Sequence, residues 1–86
     1  MKALQAFVEL KAAVLGLTGE DYITAIPALE KDGRRAMHQL GFTNAEIETS
    51  EFPDHVVEEG KDLIKRDPKE FNRRTKLAGQ IQRAMN

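Results

Sequence analysis

Leu40-Gly41-Phe42-Thr43-Asn44-Ala45-Glu46-Ile47 ends one helix and opens the next, and this double event decides the fold class. Gly41 suits the left-handed position just past a helix C-terminus, with Phe42 following as a hydrophobic anchor. Thr43 and Glu46 stand at capping-box spacing, so hydroxyl and carboxylate can each satisfy an orphan N–H at the start of a helix. Comparable punctuation recurs along the chain. No segment alternates apolar and polar residues with a period of two, so no sheet is expected.

Upstream, Ile26, Leu29, Gly33, Met37 and Leu40 share one face of a helix over 27–40. Gly33 weakens that helix by about 1 kcal/mol relative to Ala unless it admits a close neighbour. Thr18-Gly19-Glu20-Asp21 supplies a cap and two first-turn acids, but Pro27 stands in the path of the helix they open. The spacing predicts a short helix over 19–25, a break or kink, and a second helix from Pro27. A first helix over 2–16 ends at Gly16 or Thr18. Downstream, a helix over 44–50 is closed by Ser50-Glu51-Phe52-Pro53. Another over 53–66 carries Val56, Val57, Gly60, Leu63 and Ile64. Asp67-Pro68-Lys69-Glu70 then combines an N-cap, Pro at the first helical position and an acid two residues on, opening a last helix over 68–84. The expectation is all-α: a compact bundle of five short helices, six if Pro27 divides one, forming a single domain over 1–86.

Eighty-six residues support one modest core. Aromatic residues are few and Trp is absent, which favours an aliphatic bundle interior over an aromatic groove. The absence of Cys removes disulfides, thiolate nucleophiles and Cys-based zinc sites, and fits a reducing cytoplasmic setting. The N-terminal stretch has the outline of a signal peptide. Glu9 and Lys11 interrupt it, however, and no run approaches the roughly 20 apolar residues that span a bilayer. It reads as a helix of a soluble protein with no membrane partner.

Charge is sorted into blocks. Residues 1–42 carry five bases and five acids, residues 43–62 seven acids against Lys61, and residues 63–86 seven bases against Asp67 and Glu70. If the last two helices fold back at Asp67-Pro68, Glu58 comes near Lys76, Asp62 near Arg73 and Asp54 near Arg83. Such exposed pairs each contribute about 0.2–1 kcal/mol and fix register more than stability. The opposing possibility leaves the basic helix free for phosphates.

Candidate chemistry is sparse. Lys11 lies amid Leu4, Phe7, Val8, Val14 and Leu15 on a helical wheel, where burial would depress an amine pKa; a stem lying on apolar surface with its head in water is the plainer reading. The wide apolar arc around it suits a helix central to the bundle or shared with another copy of the chain. His55 and Glu59 stand one turn apart, as do Asp54 and Glu58, but no second His or Cys completes a metal site, and His38 stands elsewhere. Glu58 and Glu59 are adjacent and therefore do not face each other as an acid–base pair. No phosphate loop or triad order is present. The expectation is no catalysis, no cofactor and no metal.

Leu40 to Glu48 resembles the Leu/Met-Gly-Phe loop of ubiquitin-associated domains, the helix junction of death-fold domains, and the first half of response-regulator-type helix-turn-helix domains. The three likenesses imply an all-α interaction module without choosing a family. The helix-turn-helix likeness would place Asp54, Glu58, Glu59 and Asp62 on a recognition helix, the wrong sign for a phosphate-lined groove. The leading functional expectation is a module that binds another protein as adaptor, regulator or inhibitor. Its surfaces would be Leu40 and Phe42, or the acids Glu46, Glu51, Asp54, Glu58 and Glu59. The alternative is nucleic-acid binding led by Lys69, Arg73, Arg74 and Lys76. A third is a structural assembly subunit that self-associates through the first helix.

Overall fold

In a computed structural model that describes the backbone of residues 1–85 and the side chains of residues 1–76, five helices follow one another: α1 (Ala3–Leu15), α2 (Gly19–Gln39), α3 (Asn44–Thr49), α4 (Asp54–Arg66) and α5 (Pro68–Met85). The fold is all-α, as the punctuation predicts. Among the described residues no strand occurs, only an isolated bridge between Lys2 and Glu51. No helix among them is long and apolar enough to cross a membrane.

The helix ends follow the local chemistry. Past α2, Gly41 adopts φ 98°, the Phe42 N–H donates to the Met37 carbonyl and the Gly41 N–H to that of His38. This is a Schellman motif, and Phe42 packs on the cluster containing Met37. Gly16, at φ 70°, closes α1 by the same pattern, with the Leu17 N–H on Ala12 and its own on Ala13. At α3 the Glu46 N–H donates to Thr43 Oγ1 at 3.2 Å, and the Thr43 N–H donates to Glu46 Oε1 at 3.0 Å. Asp67 Oδ1 accepts the Glu70 N–H at 3.1 Å, capping α5.

The break expected at Pro27 does not occur: α2 runs unbroken through it. An interior proline costs a helix about 3 kcal/mol. Tyr22, Ile26, Leu29, Gly33 and Met37 nevertheless continue one face across it, and all five are buried or half-buried while Pro27 is exposed. Both halves of α2 therefore pack with the same side inward, which holds them in one helix.

α1 is the central helix. It lies against α2, α3 and α4, whereas α5 packs chiefly on α4. Ala3 and Leu4 join Met37 and Ile47 in one core cluster, while Val8 and Ala12 join Leu29 in another. Gly33 lets α1 approach closely, since a Cβ there would lie 2.8 Å from both Leu4 Cδ1 and Phe7 Cδ1. The N-terminus is tied to the α3–α4 link. The Ala3 N–H donates to Ser50 O at 2.9 Å, the Phe52 N–H to Met1 O at 2.7 Å, and Lys2 pairs with Glu51 at 3.2 Å.

Candidate binding surfaces

The expected charge pairing across the final hairpin does not form. Among the described residues no ion pair joins α4 to α5, so Glu58–Lys76 and Asp62–Arg73 are both absent; Asp54–Arg83 involves a side chain outside the described residues. The reason lies in where the two helices meet. A Cβ on Gly60 would come within 3.7 Å of Phe71 Cε2, so Gly60 and Phe71 mark the crossing. Glu58 and Asp62 each stand two positions from Gly60, and Arg73 two from Phe71. At about 100° per residue these side chains are turned nearly to the far side of their helices. Equal distance from a turn sets axial position, not facing.

The acidic block pairs elsewhere. Met1's ammonium sits 2.8 Å from Asp54 Oδ1 and 3.4 Å from Glu51 Oε2. Asp54 raises the ammonium pKa and is itself held below the usual carboxyl range by it, while Lys2 first and the ammonium second lower Glu51. Arg34 donates to Glu48. Lys61 reaches Glu9 at 2.7 Å and, more loosely, Glu58 at 3.6 Å. Glu46 is engaged in its capping box, where the Thr43 backbone N–H and then the Thr43 side chain lower its pKa. Of the expected protein-contact acids, Glu59 is exposed and outside every ion pair among the described residues. Phe42 is half-buried against the core, with His38 Nδ1 donating to its carbonyl at 3.1 Å, and Leu40 is also half-buried. The Leu40–Phe42 corner is thus turned largely inward.

Among the described residues, the basic block stays open. Lys65, Arg66, Lys69, Arg73, Arg74 and Lys76 are all exposed. Their local acid is Glu70, which accepts from Arg73 Nε at 2.8 Å, Arg73 Nη2 at 2.6 Å and Arg74 Nε at 2.8 Å. Arg73 first, then Arg74, pulls the Glu70 pKa down to about 2. One carboxylate faces two guanidinium groups, each still 65% exposed, so the site keeps net positive charge.

Lys11 is exposed, in keeping with the plainer of its two readings. Among the described residues no three His, Asp or Glu side chains converge as metal ligands. The sequence reading missed two features. One is the Glu9–Lys61 pair, whose partners stand 52 positions apart. The other is an open groove of about 450 Å³ between α1, α4 and α5, floored by Leu10, Val56, Leu63 and Phe71. A local signal for its apolar wall was present: Val56 and Val57 are adjacent, about 100° apart on α4, and so widen its apolar face beyond the side that meets the core. Comparison with known protein families, curated proteins and solved structures finds no match to this chain.

Proposed function

We propose that this chain is a small non-enzymatic helical module that binds nucleic acid through the outward face of α5. The supporting observation is a basic block that its own acids compensate only in part. Across residues 63–76 six bases stand against two acids, a net of +4, and no ion pair from α4 reaches them among the described residues. In helical register Lys69, Asn72, Arg73 and Lys76 fall within an arc of about 100°. All four are exposed. Cations one turn apart on a helix can follow successive phosphates, and Asn72 adds a polar group able to hydrogen-bond sugar or base.

The test is fluorescence anisotropy of labelled duplex DNA and single-stranded RNA titrated with the full chain over a range of salt. Binding should weaken steeply as salt rises. Arg73→Gln with Lys76→Gln should reduce the slope of log K against log salt by about 2. Absence of binding at about 50 mM salt, or a slope unchanged by both substitutions, overturns the proposal.

A protein partner is the second reading, favoured by Glu59, which is exposed and free of ion pairs among the described residues. Reversal of Glu58 and Glu59 then weakens salt-sensitive capture of that partner; capture unaffected by the reversal counts against it.

A further inference from the structure

We propose that the groove between α1, α4 and α5 is the docking site for a second, antiparallel copy of this chain, forming a two-fold dimer. The inference starts from a helix with two apolar faces. Val57 and Ile64 turn into the core at 0% and 9% exposure, while Val56, at 37%, and half-buried Leu63 face the groove. Leu10 and Phe71 complete its floor. Val14, one turn beyond Leu10 on α1, is also exposed and extends the apolar surface.

Charge selects the occupant. Arg74 of α5, engaged by Glu70, lines the groove, and so do Glu59 and Arg66 of α4. They stand seven residues apart on α4, within about 20° of each other around the helix and about 10 Å apart along it. Both are exposed, and neither enters an ion pair among the described residues. The stripe is thus acidic at one end, apolar at Leu63 and basic at the other. An antiparallel copy places Glu59 opposite Arg66 of the second copy and Arg66 opposite its Glu59, with Leu63 beside the two-fold axis. A parallel copy would set like charges together. Self-complementarity of this kind is what an isologous interface requires. A nucleic acid fits poorly, because the floor of Leu10, Val56, Leu63 and Phe71 is apolar. Lys69, Asn72, Arg73 and Lys76 do not line the groove, so either proposal can fail without the other.

Sedimentation velocity of the full chain, from about 1 µM to about 1 mM, provides the test. The chain should pass from monomer to dimer as concentration rises. Glu59→Arg and Arg66→Glu should each weaken dimerisation at least about tenfold, since each sets like charges face to face twice. An equimolar mixture of the two should dimerise again, because the mixed dimer restores opposite charges at both contacts. Val56→Lys, at a side chain already open to solvent, should also weaken association while far-UV circular dichroism stays unchanged. A monomer throughout the range, a dimer indifferent to Val56→Lys or to both charge reversals, or a mixture that stays monomeric overturns the proposal.

Discussion

Lys61 on α4 donates to Glu9 on α1 across 2.7 Å, with 29% and 20% of the two side chains exposed, so this ion pair bridges the central helix and its neighbour in partial shelter from water. Glu9, first, raises the Lys61 pKa. Lys61→Met keeps the stem but leaves Glu9 without its partner. The expected loss of stability is about 1 kcal/mol, between that of an exposed pair and that of a hydrogen bond to a charged group. Glu9→Gln with Lys61→Met should recover part of it. Urea unfolding of the two variants and their parent measures the difference.

Two helical glycines should respond oppositely to alanine. Each substitution gains up to about 1 kcal/mol of helix propensity. At Gly33 the new Cβ meets the Phe7 ring and Leu4 at 2.8 Å inside the α1–α2 contact, and overpacking of a filled site costs about 1–3 kcal/mol. Gly33→Ala should therefore destabilise. At Gly60 the close atom is the Leu10 Cδ2 tip at 2.9 Å, which borders the open groove and can rotate away. Gly60→Ala should be neutral or stabilising, with thermal denaturation as the readout.

What the sequence made legible was local. The capping box at Thr43, the Schellman glycine at Gly41 and the Asp67 cap each depend on residues within a few positions, and all three are formed. The inward face Leu29–Gly33–Met37 was equally readable, because periodicity encodes it. Pro27 misled because its local penalty was weighed without the continuous face from Tyr22 to Met37 on either side. The charge blocks misled for a different reason. Block sums carry no information about facing, and among the described residues the acids found partners on Lys2, Arg34 and the Met1 ammonium rather than on α5. The basic surface was therefore named residue by residue while its exposure was misjudged. Val56 beside Val57 announced an apolar wall, but the groove itself depends on where three helices converge, which no window of sequence contains.

The capping box itself is a testable joint. Thr43→Ala removes the Oγ1 acceptor of the Glu46 N–H and leaves the Glu46 carboxylate alone to hold the turn. A loss of about 1 kcal/mol is expected. Ile47, at 1% exposure, hangs from this short helix, so fraying at α3 should propagate to the core cluster around Met37. Amide hydrogen exchange should therefore quicken at Glu46 and Ile47 in the variant.

Stability should fall on both sides of neutrality. Glu46, Glu51, Asp54 and Glu70 all have lowered folded pKa values. Their contribution is present above the unfolded carboxylate range and is lost as pH falls through the folded values; for Glu70 the window runs from 4.5 to about 2. The Met1 ammonium and Lys61 are raised, so their contribution is complete below 8.0 and 10.5 respectively and lost as pH rises through the higher folded values. A plot of Tm against pH should be flat from about pH 5 to 7.5 and descend on either side. Glu70→Gln should shallow the acid limb, whereas an acid limb identical to the parent's would show that the Arg73–Glu70–Arg74 cluster adds nothing to folding.

The same substitution separates a structural cluster from a binding one. Glu70 is the acid engaged with Arg73 and Arg74, so replacing it by Gln raises the net charge of residues 63–76 from +4 to +5. It also releases two guanidinium groups that are already largely exposed. If α5 meets phosphates, Glu70→Gln should bind duplex or single-stranded nucleic acid about three- to fivefold more tightly at low salt, even as it loses some stability at neutral pH. The salt slope should steepen at the same time, because more counterions are released when an unrestrained Arg73 reaches the backbone. A variant that folds less well yet binds more tightly cannot be explained by lost structure, so the sign of the change decides. Weaker or unchanged binding by the folded variant would assign the cluster to holding the first turns of α5 alone.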